Sequence, residues 1–298
     1  MSLVNIMQAA IVAMTLLFTG VLARDVSKNK DKISKASTPG LSIIGAITMF
    51  GDTLGIGCFA PQTALFKFFK LVPDRFIPGT LNTCAVIPAS IEALLFITVI
   101  KVDPLTLFAL ITASTIGAIF GAGFVSKLPE KQIQIGMGIA LILVALTIIA
   151  GQLKLMPVGG DAIGLTGGKL IIGIIVNLIL GALMTIGVGC YAPMMALVYA
   201  LGMSPRVSFP IMMGSCAFLI PAAGMRFIKE GAYDLKANIV INIAGIIGVV
   251  VAVYIVKEIP LTILKWLVVC VILYASTILL RSGLKKTDMN NKEVTIAD

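Results

Sequence analysis

The sequence predicts an all-α fold, a polytopic membrane bundle of about nine apolar segments, and three observations lead there. Hydrophobic residues make up 58% of the 298 and charged residues 12%, too little polar surface to enclose a soluble particle of this size. The apolar runs are long and do not alternate, which excludes a transmembrane barrel. That leaves helices, which satisfy every backbone N–H and C=O inside lipid. Lysine and arginine fall between those runs, so the net charge of +9 orients membrane loops and does not point to nucleic acid.

Residues 1–40 hold a first apolar helix and a basic loop. The helix lacks the positive start of a signal peptide and is followed by Arg24 and several lysines, so it reads as an uncleaved span. Residues 41–151 carry apolar segments at about 41–70, 75–100, 104–127 and 131–151, each long enough to cross about 30 Å of hydrocarbon. A glycine-rich linker, 152–168, follows. The pattern returns over 169–281, in segments at about 169–201, 205–228, 235–256 and 260–281. Residues 282–298 form a polar tail, expected to be disordered.

The second set of segments repeats the first. Shifted by 132 residues, Gly55-Ile-Gly57-Cys58-Phe59-Ala60-Pro61 meets Gly187-Val-Gly189-Cys190-Tyr191-Ala192-Pro193, with 12 identities over the 33 positions from 53 to 85. With the shift reduced to 131, Gly117 falls on Gly248 and Pro129 on Pro260. The most similar stretch is also the worst helix, because two glycines and a proline stand in mid-segment. A broken helix is tolerated in a membrane where protein buries it or where it lines a cavity, and transporters place such breaks at the substrate site. Pro61 and Pro193 belong in the first turn of a new half-helix, whose freed N–H groups and partial positive charge favour an anion. The plain structural reading is close packing at glycine and a kink at proline. Its recurrence in both halves favours a symmetric central site.

Four of the five cysteines, Cys58, Cys84, Cys190 and Cys216, form two symmetry-related pairs in the broken helix and the one after it. Cysteine packs well in lipid, but its sulfur also suits a sulfur-rich anion such as thiosulfate. Asn82, Thr83 and Ser215 would complete the donor set. With no histidine and no Cys-x-x-Cys, neither a metal site nor any other cofactor is expected. Among charges inside the spans, Asp52 has Met184 as its counterpart and is a candidate carrier of a coupling proton or cation. Glu92 and Arg226 come close to the same repeat position and are expected to pair with each other, or Arg226 to face the anion; snorkelling of Arg226 and a loop-edge position for Asp52 are the structural alternatives.

The same segments resemble the TauE/SafE family of sulfite exporters, also called the 4-toluene sulfonate uptake permease family. The resemblance rests on Gly187-Val-Gly189 followed by Pro193, on Leu201-Gly202-Met203-Ser204-Pro205, and on Met225-Arg226-Phe227 ahead of Gly231-Ala232-Tyr233-Asp234. It is weaker from Gly55-Ile-Gly57 to Pro73. It implies a permease for sulfite, sulfonates or related anions. The chain departs from the family form where cysteine and an aromatic follow the second glycine, and where Gly214-Ser215-Cys216 replaces a Gly-Thr-Ser.

Nine full crossings with the N-terminus outside put 15 basic residues inside and 7 outside, whereas re-entrant Gly-Cys-Pro hairpins put 17 inside and 5 outside. The second arrangement makes the two halves inverted and keeps the C-terminus cytoplasmic, in a multi-pass inner-membrane protein. The function expected is a permease for a small, sulfur-containing anion. The alternatives are an ion channel or a permease for a non-sulfur organic anion, and a homo-oligomer is left open. An intramembrane enzyme would need a base, metal or nucleophile constellation, and the chain offers only isolated thiols and few buried acids.

Overall fold

The computed structural model describes residues 3–30, 33–155, 159–187, 189–255, 266, 269–270 and 272–284. Parts of the expected last segment and nearly all of the polar tail lie outside the described residues. The described chain is helical with no strand, and a single isolated bridge joins Ala162 and Met203. The helices are α1 Leu3–Lys28, α2 Thr38–Thr53, α3 Phe59–Phe69, α4 Ile77–Cys84, α5 Val86–Val99, α6 Pro104–Val125, α7 Glu130–Gln152, α8 Gly167–Met184, α9 Tyr191–Ala200, α10 Ser208–Lys229, α11 Leu235–Ile255 and α12 Ile272–Leu284.

Among the described residues, seven stretches are long and apolar enough to cross a membrane, against about nine apolar segments expected over the whole chain. Glycine divides the segment expected at 41–70 into the short helices α2 and α3, and the segment expected at 260–281 lies largely outside the described residues; glycine also divides the segment expected at 169–201, into α8, which is long enough to cross, and the short α9. Helix α1 also runs past its expected end into the basic stretch, to Lys28.

Local chemistry explains several boundaries. Ser37 caps α2, its hydroxyl accepting from Gly40 N at 3.3 Å, and Asp103 caps α6, its carboxylate accepting from Thr106 N at 2.9 Å. Pro104 then occupies the first position of α6, where a missing N–H costs nothing. The expected segment 75–100 is itself divided at Ala85. Three residues later stands Pro88, which has no N–H to give Cys84 O. The amide of Asn242, on α11, enters this gap: its Oδ1 accepts from Ile87 N at 3.0 Å and its Nδ2 donates to Thr83 O at 2.9 Å.

Burial ranks the spans. The span containing α10 is 83% buried and that containing α4 and α5 is 72% buried, while those of α1 and α8 are 22% buried. The first two form the centre, and α1 and α8 turn apolar side chains such as Leu16, Ile171 and Ile175 outward, as lipid requires. Helix α2 packs on α11 and α8 on α6, at glycines that bring backbones together. A Cβ at Gly248 would lie 2.0 Å from Ala46 O, and one at Gly117 would lie 1.9 Å from Leu178 O.

Both broken hairpins return to the end of the bundle from which they start. Gly40, at the start of α2, lies beside Leu71, just past the end of α3. This end also carries Tyr233 Oη donating to Asp25 Oδ2 at 2.6 Å and Lys236 Nζ donating to Ala36 O at 2.6 Å. The α8–α9 hairpin closes at the other end, where Lys169 Nζ donates to Leu201 O at 3.1 Å and Gly160 N to Met203 O at 3.0 Å. Asp103 N donates to Ile163 O at that same end.

Candidate functional site

The two breaks meet in the middle of the bundle. Helix α2 stops at Thr53 because Gly55 and Gly57 take φ +83° and +86°, and Pro61 stands in the first turn of α3. In the second break Gly187 takes φ +101°, and Pro193 stands in the first turn of α9. Val188 lies outside the described residues. A Cβ on Gly57 would stand 3.7 Å from Tyr191, so the first break rests on the second. The space left between them is about 10 Å³, enough for about one water, and is lined by Ile56, Gly57, Ala60, Val144, Gly189, Tyr191 and Ala192. The junction is closed.

Around it lies a connected set of buried polar groups. Asp52 Oδ1 accepts from Cys58 N at 2.5 Å, so the side chain of α2 caps the N-terminus of α3. Tyr191 Oη lies 3.3 Å from Asp52 Oδ2 and 3.4 Å from Glu92 Oε2, and Thr53 Oγ1 donates to Glu92 Oε1 at 2.7 Å. Asp52 is 3% exposed and Glu92 0%. The loop-edge position for Asp52 is therefore not the one adopted. The two breaks are not equivalent either, because Met184 takes the place of Asp52 in the second.

Glu92 and Arg226 do not form the expected pair. Glu92 joins Asp52 through Tyr191, while Arg226 binds Glu230 at 3.0 Å, one turn on along α10. The repeat register places the two residues at like positions, but α5 and α10 carry them toward different ends of the bundle, and Arg226 meets its nearest carboxylate locally.

Cys58, Cys84, Cys190 and Cys216 are all buried and free, whereas Cys270 is exposed. Cys190 Sγ and Cys216 Sγ lie 3.5 Å apart; Cys84 Sγ donates instead to Gln62 Oε1 at 3.5 Å. Gln62 passes this on, its Nε2 donating to Thr48 Oγ1 at 2.8 Å. Among the expected donors, Thr83 gives its hydroxyl to Gly79 O, and the Asn82 amide reaches Pro78 O and, at 3.5 Å, Thr185 O beside the second break. Ser215 Oγ and Asn82 Oδ1 are buried without a bonded partner among the described residues. Phe59, 1% exposed, packs in the core. No group of His, Cys, Asp or Glu suited to a metal occurs among the described residues.

Sequence reasoning missed Gln62, Asn242 and the link from Tyr191 to Glu92. Gln62 and Asn242 carry a signal, an amide inside an apolar run. The tyrosine link carries none, because 99 residues separate its ends.

A family model described as Sulfite exporter TauE/SafE matches residues 2–148. No curated protein and no solved structure matches the chain.

Proposed function

Because the chain belongs to the TauE/SafE sulfite exporter family, through a match that spans α1 to most of α7, we propose that this membrane transporter carries a small sulfur-containing anion across the junction of its two breaks. The observation that carries the reading is the meeting of two broken hairpins, entered from opposite ends and closed over a space of about 10 Å³. Inverted hairpins around one fixed site are what alternating access needs, each opening the site to its own side.

Helix boundaries support an inverted duplication. Helices α3 and α9 begin 132 residues apart, at Phe59 and Tyr191, and α6 and α11 begin 131 apart, at Pro104 and Leu235. The pairing of α2 with α11 mirrors that of α8 with α6. Basic residues support an orientation: the end holding Arg24, Lys28, Lys35, Lys70 and Lys236 is the cytoplasmic one, with the N-terminus outside and the C-terminus inside. The anion is held at the N-terminus of α9, since Asp52 already caps that of α3. Four buried thiols around this junction favour sulfur chemistry over a carboxylate.

The test is exchange of labelled sulfite, thiosulfate and a short alkanesulfonate in liposomes holding the purified protein. Exchange of at least one, lost in Gly189→Val with the fold intact, is the expected result. Folded protein that exchanges none of them, or exchanges small carboxylates equally well, would overturn the reading.

A further inference from the structure

Asp52 and Glu92 are an unusual pair to find beside an anion path. Both are buried, both lie within reach of the one Tyr191 hydroxyl, and their other bonds come from neutral groups, Cys58 N and Thr53 Oγ1. The ion pairs among the described residues lie elsewhere, Lys67 with Asp74 and Arg226 with Glu230. The titratable groups facing the pair are Tyr191 of α9, Cys58 beside α3 and Cys216 of α10, with Cys84 of α4 near Cys58. The other charged groups on the helices packed against α2 and α5 stand toward the basic end: Arg24, Asp25 and Lys28 on α1, Lys67 on α3, Arg226 and Lys229 on α10, and Lys236 on α11. Two carboxylates so close, in low dielectric and without a cation, do not both stay ionised.

Tyr191 connects this pair to the anion path. Its hydroxyl reaches both carboxyls, while its backbone opens α9 and its ring closes the space over Gly57 and Gly189. An anion entering that space comes within one side chain of Asp52 and Glu92, where a negative pair repels it and a neutral one does not.

We infer that the Asp52–Glu92 pair is the coupling site of the transporter, taking up one proton for each anion bound and releasing it when the anion leaves, so that proton and anion cross in the same direction. The inference rests on the permease reading and adds the coupling ion and its sign. By linkage the anion favours the protonated pair to the same degree that the proton favours the anion-bound form. Antiport would require the anion to bind beside a freshly charged pair, against that repulsion. The proton arrives from and departs to water on the open side, and no bond other than O–H forms or breaks. Tyr191 is a positioning residue, since it ties the pair to the second break.

The experiment uses liposomes and an alkanesulfonate, which stays ionised throughout, so any proton moved with it is moved by the protein. With equal sulfonate on both sides and the outside more acidic, the wild type accumulates sulfonate by up to about tenfold for each unit of pH difference. Glu92→Gln loses this accumulation while keeping measurable exchange, and Tyr191→Phe lowers accumulation relative to exchange. Exchange without accumulation in the wild type, accumulation driven by the opposite gradient, or accumulation that persists in Glu92→Gln overturns the coupling alone. Exchange of no sulfur anion overturns the permease reading and the coupling with it. An infrared measurement guards against a variant that misfolds: the wild type shows a protonated-carboxyl C=O band near neutral pH that shifts when anion is added, and its absence overturns the proposal.

Discussion

Replacing Asn242 by leucine tests the account of how a central span survives its own proline. Leucine has nearly the shape of asparagine but neither of its hydrogen-bonding groups. The change removes the bond from Ile87 N, 3.0 Å, and the bond to Thr83 O, 2.9 Å. Those two backbone groups are the donor and acceptor of one missing turn between α4 and α5, and Asn242 is 2% exposed, so water does not replace it. Each orphaned buried group costs about 1–3 kcal/mol in a soluble protein. Side-chain hydrogen bonds between membrane helices average about 0.6 kcal/mol and reach about 1.7, because the reference state in lipid finds partners too. The two scales together put the loss at about 1–4 kcal/mol. Asn177→Leu is the control, since its Nδ2 donates only to Gly173 O within its own helix; its cost is under about 1 kcal/mol. Unfolding in detergent measures the difference, and hydrogen exchange at the Ile87 amide locates it. A variant as stable as Asn177→Leu, with Ile87 protected as in the wild type, would refute the reasoning.

Two further predictions concern packing and pH. Gly117→Ala must open the α6–α8 contact by about 1.1 Å to lengthen 1.9 Å to 3.0 Å, and Gly248→Ala opens the α2–α11 contact by about 1.0 Å. Both destabilise by about 1–3 kcal/mol in thermal unfolding, whereas Gly20→Ala, with nothing within 4 Å, does not. Tyr233, in the loop before α11, is pushed above the ordinary tyrosine range, first by burial and then by Asp25, which accepts its hydrogen bond, and by Asp234. Its raised value means the folded state holds the phenolic proton more tightly than the unfolded state. Stability from this group is fully present below about pH 10 and declines as pH rises above it. Tyr233→Phe unfolds at lower temperature at neutral pH and shows a smaller alkaline decline; an equal decline in both proteins would refute the assignment.

Much of the architecture is legible in the residues because lipid leaves a chain few choices. Composition and run length force helices, glycine and proline in mid-segment force the breaks at Gly55–Pro61 and Gly187–Pro193, and Asp103-Pro104 marks the start of α6. The division at Ala85 is less visible, since proline kinks some helices and breaks others; Pro221 lies inside an unbroken α10. What differs is the neighbour, for Asn242 bridges the gap that Pro88 opens.

The candidate site divides along the same line. Glycine, proline and Asp52 announce themselves by residue type, because each is out of place in an apolar helix for a local reason, and the four cysteines by recurring at matching positions of the two repeats. The partner of Glu92 does not. Repeat register suggested Arg226, and that inference fails because register compares positions within two copies and says nothing of how the copies interlock. Only the packing of α2 on α11 and α8 on α6 brings Tyr191 of one break against Asp52 of the other and leaves Arg226 with Glu230. The sequence by itself determined a helical membrane protein with two breaks, since backbone hydrogen bonding in lipid is satisfied locally. Tertiary structure alone decided which buried charges meet, because that depends on contacts between residues 99 and 139 positions apart.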